Sequence, residues 1–185
     1  MRTSWILACF GMAAFVGACS SDNNTPDSPV STADAPPSGS DGGSKSDAGA
    51  ATTFTITLGP ETGCSHTTGP AGTATVTVAA DNTLTVTGTY SGLSATPSMG
   101  HVHFGGPSDG GPVVISLTIV AGATAGSGTF NVTHNASDPY SPKAGTPTAP
   151  ADYATFISML KTGGKTYLNF HTGDCGGGEL RGEIQ

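Results

Sequence analysis

From Phe54 onward the chain alternates threonine with large apolar residues, and a period of two admits little besides β-sheet. Phe54, Ile56 and Leu58 are interleaved with Thr53, Thr55 and Thr57. Ala74, Val76 and Val78 repeat the pattern with Thr73, Thr75 and Thr77, and Leu84 and Val86 carry it on to Tyr90. Successive side chains on a strand point to opposite faces, so such runs predict one buried face and one solvated face. Asp81-Asn82, placed between two of these runs, has the chemistry of a hairpin turn. Val113 to Val120 is apolar on both faces apart from Ser116 and Thr118, which predicts a single well-covered strand. Further strands are expected at Thr129–Thr133, Tyr167–His171 and Leu180–Ile184. Many short strands joined by turns rich in glycine and proline predict an all-β fold. The expectation is an antiparallel immunoglobulin-like sandwich or Greek-key barrel.

One segment departs from this period. Tyr153, Phe156, Ile157 and Leu160 recur at helical spacing, which predicts a short helix over about Ala151–Lys161. Pro150 and Asp152 suit its first turn, Lys161 its last, and Gly163-Gly164 stops it. Its aromatic face is expected to be core, packed on the barrel as a plug.

The sequence before the strands sets the expected compartment. Arg2 precedes a short, uncharged apolar run from Trp5 to Ala18, the form of an export signal and too short to span a bilayer. It ends in Val16-Gly17-Ala18-Cys19, which resembles the bacterial lipobox, so residues 1–18 are expected to be removed and Cys19 lipidated. Ser20 follows where an aspartate would mark inner-membrane retention, which favours an outer-membrane or surface position. Residues 19–50 are then a tether of Ser, Asp, Gly, Ala and Pro with almost no large apolar side chain. The folded domain is expected over 51–185, long enough for one core. A formal net charge of −7 argues against nucleic acid, whose binding requires clustered Lys and Arg.

Of the cysteines, Cys9 leaves with the leader and Cys19 carries the anchor, so Cys64 and Cys175 remain. An even pair in an exported domain reads as one disulfide, tying an early loop to the last hairpin. The rival reading makes both cysteines metal ligands near His66 and His171.

The chemistry-bearing motifs lie far apart. His101-Val102-His103 is followed by Phe104-Gly105-Gly106-Pro107 and Pro112-Val113-Val114. Tyr167-Leu168-Asn169-Phe170-His171-Thr172 is followed by Gly178-Glu179-Leu180-Arg181-Gly182-Glu183-Ile184. In that order, these motifs resemble the CHRD domain, first described in chordin, across Phe54 to Gln185. The resemblance implies an all-β, immunoglobulin-like sandwich or barrel and carries no reaction across. It marks Asn169, Thr172, Glu179 and Arg181 as structural motif residues. This chain departs from the pattern at Gly173-Asp174-Cys175-Gly176-Gly177, which separates the His-Thr pair from the Gly-Glu pair, and at the Pro-rich loop Thr133 to Pro150.

On strands, His101 and His103 share a face opposite Val102 and Phe104, and His171 shares one with Asn169 and Tyr167. With the apolar partners in the core, the three imidazoles lie on the non-core side, under loops or open. Two histidines at i, i+2 and one from a neighbouring strand suit copper or zinc, with His66 and Asp109 as candidate further ligands. The alternative is a structural hub in which the imidazoles brace loops to the sheet. His134 is expected at the surface. Glu179 and Arg181, two apart on the last strand, share a face; Arg181 is expected to pair with a carboxylate, the alternative being a ligand-binding arginine.

No catalytic constellation stands out: there is no Gly-x-Ser-x-Gly turn, no phosphate loop before a helix and no evident carboxylate pair. The His-Val-His strand is similar to that of copper/zinc superoxide dismutase, whose dinuclear site needs more histidines than the five here. The expected role is therefore a membrane-anchored binding or cell-envelope structural module with an unassigned protein or envelope ligand. The rival is a metal-handling or redox protein built on the histidines.

Overall fold

The computed structural model describes residues 49–65 and 69–185. The leader, Cys19, nearly all of the tether and His66 lie outside the described residues. Nine strands and one helix follow in the order β1 (Thr52–Pro60), β2 (Ala71–Val78), β3 (Leu84–Ser91), β4 (Met99–Phe104), β5 (Val113–Ser116), β6 (Thr118–Ala121), β7 (Gly128–His134), α1 (Tyr153–Lys161), β8 (Thr166–His171) and β9 (Leu180–Ile184).

The strands form a single sheet in the order β5-β4-β8-β9-β1-β2-β3-β7-β6, antiparallel at every pairing. β1 joins its two halves, pairing with β2 over Thr52–Leu58 and with β9 at Gly59 and Pro60. At the corner, Gly182 of β9 leaves no room for a side chain, because a Cβ there would lie 2.5 Å from Leu58 Cδ2. The outermost strands β5 and β6 are separated in sequence by Leu117 alone. A chain that passes from one edge of a sheet to the other in one residue forces the sheet to curl back on itself. The result is a nearly closed, barrel-like all-β fold.

This closure corrects the single strand expected over Val113–Val120. The run breaks at Leu117, whose N–H turns to the Gly100 carbonyl of β4 at 2.8 Å. An apolar run covered on both sides has the same pattern whether it continues straight or crosses between edges.

The period-two runs bury as expected. Ile56, Leu58, Val76, Val78, Leu84 and Val86 line the interior, while Thr53, Thr55, Thr57, Thr73 and Thr75 face out. In the helix, Tyr153, Phe156, Ile157 and Leu160 are buried against the same core, and the Asp152 carboxylate caps the first turn by accepting from Thr155 N–H at 2.8 Å. The Tyr153 hydroxyl lies within hydrogen-bonding distance of the carbonyls of Asn82, at 2.9 Å, and His134, at 2.8 Å, fixing the helix to the β2–β3 turn and to β7.

His134 is therefore not at the surface. It is buried, with the Tyr153 ring 4.8 Å and the Tyr140 ring 6.4 Å away, and burial lowers its pKa. Tyr140 comes from the Pro-rich loop, which folds back and stacks on Phe156 at 5.7 Å. That loop thus adds an aromatic layer to the core, which its composition does not show.

Candidate metal centre under three loops

β4 and β8 are buried on both faces. Val102, Phe104, Leu168 and Phe170 face the core, and His101, His103, Tyr167, Asn169 and His171 occupy the opposite side. The strands pair with Met99 opposite His171, His101 opposite Asn169 and His103 opposite Tyr167, and Arg181 of β9 lies opposite Asn169. This outer face would be solvated on an open sheet. Here three loops, 61–65, 105–112 and 172–179, border it, and the Cys64–Cys175 disulfide ties the first to the third. Between them lies a cleft of about 960 Å³, lined by His103, His171, Tyr167, Asn169 and Arg181 among others.

The three histidines meet as the strand alternation predicts. Their ring centroids are 5.5 Å apart for His101–His103, 5.2 Å for His101–His171 and 6.0 Å for His103–His171. One ring nitrogen from each lies within 4.8 Å of the other two. His103 Nδ1 is 2.8 Å from the Gly111 carbonyl and His171 Nδ1 is 3.0 Å from the Gly176 carbonyl. A carbonyl only accepts, so these bonds place the proton on Nδ1 and leave Nε2 as a lone-pair donor in each neutral ring. His103 Nε2, His171 Nε2 and His101 Nδ1 are buried and have no hydrogen-bond partner among the described residues. Burial, then the neighbouring His103 and His171, hold the His101 pKa down at about 4. Burial also lowers that of His103, against the opposing effect of the Gly111 carbonyl. His101 and His103 are thus held neutral at physiological pH, the form that binds metal.

The other expected residues divide. Asp109 stands beside the cleft, but its carboxylate accepts from Gly106 N–H at 2.7 Å and closes its own turn; the metal-competent group among the described residues is the three histidines. The cysteines form the disulfide, so they do not serve as ligands. Asn169 Nδ2 donates to Glu61 at 3.2 Å. Arg181 pairs with carboxylates as expected, those of Glu183 at 2.7 Å and Glu61 at 3.6 Å. Glu179 precedes β9, after Gly178 at φ 123°, so strand alternation does not govern it. Its carboxylate accepts instead from Ser94 N–H at 2.7 Å, Ser94 Oγ at 2.8 Å and Thr172 Oγ1 at 2.6 Å.

Arg181 braces the loop beyond His103. Its Nε donates to Glu183 at 2.7 Å, its Nη1 to the Asp109 carbonyl at 3.0 Å and its Nη2 to the Gly106 carbonyl at 2.7 Å. Its guanidinium carbon lies 3.3 Å from the centroid of Tyr167, on which His103 stacks at 4.8 Å. Lysine has one charged head and no planar fork, so Arg181→Lys should lose about 2 kcal/mol, read from the denaturant midpoint. An unchanged midpoint would mean that the fork does not hold this loop. The contributions of Ser94 and Glu61 and of the Gly111 and Gly176 carbonyls had no signal in the sequence beyond the glycine-rich loops themselves.

The family model for the CHRD domain matches residues 52–184, which run from the first residue of β1 to the last of β9. The chain belongs to the CHRD domain family. No curated protein and no solved structure matches it. As a CHRD domain with a barrel-like sheet, it is a binding or structural module. Its disulfide indicates an oxidising, extracytoplasmic compartment. No helix among the described residues is long and apolar enough to cross a membrane.

Proposed function

We propose that this CHRD domain is an extracytoplasmic metal-binding module that holds one zinc or copper ion on His101, His103 and His171. The observation that carries this reading is the set of buried, unpartnered ring nitrogens on the three histidines. A buried polar atom without a partner costs about 1–3 kcal/mol, so a hub built only to brace loops would not leave three of them on one cluster. The two Nδ1–H···O=C bonds fix the tautomer and turn each Nε2 toward a common point, as carbonyl partners do for metal-ligating histidines. For a metal at about 2.0–2.1 Å from each nitrogen the donors stand roughly 3.3–3.6 Å apart, so modest ring rotations close the site. The Cys19 lipid and the acidic tether would hold the domain at the cell envelope, away from the membrane surface.

The full chain, exposed to zinc or copper and freed of excess ion, is expected to retain one equivalent. Bound metal at 100 times its Kd should raise stability by about 2.7 kcal/mol. His103→Ala should weaken binding by more than about 100-fold, beyond the roughly 10–100-fold lost when only a hydrogen-bond partner of a ligand is removed. A wild-type chain that retains no metal, with His103→Ala merely less stable, would return the cluster to a purely structural role.

A further inference from the structure

Resting on that reading, we propose that the ion is copper(I) and that Met99 supplies a fourth, sulfur ligand. Met99 is the residue of β4 two places before His101, and strand alternation puts it on the histidine side of the sheet. The next residue, Gly100, faces the core, where a Cβ would lie 2.9 Å from Phe170 and Ile119 atoms. Across the sheet Met99 is in register with His171. Side chains directly opposite in an antiparallel pair have Cβ atoms about 4.5–5.5 Å apart, within easy reach of an unbranched thioether. Met99 is nonetheless 50 % exposed, while His101, His103 and His171 are all under 10 % exposed. A half-exposed thioether thus stands beside a buried polar cluster, on the same side of the sheet.

The donor set points in the same direction. Among the described residues the metal-competent group is the three imidazoles, which are neutral ligands. Asp109 is committed to its own turn, and Glu183 to Arg181. Arg181 lies over Tyr167, on which His103 stacks, and its charge is taken up by Glu183 and Glu61. Three imidazoles alone accept zinc or copper, and the added thioether is the soft donor that favours copper(I) over zinc.

The test uses the full chain with copper(I) kept reduced by ascorbate without oxygen, and zinc in parallel. Copper(I) bound to the wild-type protein should show a sulfur neighbour by X-ray absorption, and Met99→Leu should lose it. The same substitution should weaken copper(I) binding about tenfold in competition with a copper(I) chelator and leave zinc affinity unchanged. Met159→Leu, on α1, controls for loss of a thioether in general and should behave as wild type. A wild-type copper(I) spectrum with nitrogen neighbours alone, or equal affinities for Met99→Leu and wild type, would overturn the Met99 ligand while leaving the three-histidine site standing. Absence of any bound metal in the wild-type chain would remove both.

Discussion

Replacing both cysteines, Cys64→Ser with Cys175→Ser, should lower stability by about 4–5 kcal/mol. The bridge spans 111 residues, and in the chain-entropy model a closed loop of that size restrains the unfolded chain by this amount. The same variant should bind metal about 10–100-fold more weakly, because the bridge anchors the loop that orients a ligand. Cys175 N–H bonds the Thr172 carbonyl at 3.3 Å, and the next residue, Gly176, presents the carbonyl that holds His171 Nδ1. Freed from Cys64, that loop can turn away and let the His171 ring rotate. Reducing agent should reproduce both losses in the wild-type chain and change nothing in the double variant. Denaturant midpoints with and without reductant read the first effect, and zinc titration reads the second. A double variant within about 1 kcal/mol of wild type would show that the surrounding hydrogen bonds, not the bridge, fix these loops.

Strand alternation was legible in the sequence wherever one face is buried and the other is solvated. Thr55 and Thr57 against Ile56 and Leu58 show it, and the same rule placed His101, His103 and His171 on one side of the sheet. The pattern cannot show what lies over the outer face. His101 and His171 resemble solvated positions in sequence, yet both are buried, His171 against the loop that Cys175 ties to Cys64. Two failures have a common cause. Leu117 and Glu179 sit where a strand ends or the chain changes edge, and there periodicity gives no direction for a side chain. His134 failed for a different reason. Its cover comes from Tyr140 and Tyr153, which reach it through tertiary packing of a Pro-rich loop and a helix. The hydrogen bonds that orient the ligand histidines come from glycine carbonyls, and backbone donors and acceptors carry no residue-type signal.

Glu179→Ala should cost about 3 kcal/mol, although this glutamate is not among the metal-competent residues. Its side chain is 1 % exposed and accepts from Ser94 N–H, the Ser94 hydroxyl and the Thr172 hydroxyl. These donors come from different connections, after β3 and after β8, while Glu179 itself leads into β9. The carboxylate thus ties the start of the last strand to two distant chain segments. Its backbone strengthens the same junction, with Glu179 N–H bonded to the Phe170 carbonyl at 2.7 Å and Glu61 N–H to the Glu179 carbonyl at 3.0 Å. Alanine leaves the buried Thr172 hydroxyl without its acceptor and empties the space the carboxylate filled. Glu179→Gln keeps the volume but turns an NH₂ toward a set of donors, so about 2 kcal/mol should still be lost. Thr172→Val removes one hydroxyl from the group and should cost about 1 kcal/mol. The order Ala, then Gln, then Thr172→Val, measured by denaturant midpoints, separates a charged acceptor hub from mere filling of space. A neutral Glu179→Gln would reject the hub, since shape alone would then suffice. Metal stoichiometry in Glu179→Gln should remain at one equivalent, because the glutamate braces the loop ends without supplying a ligand.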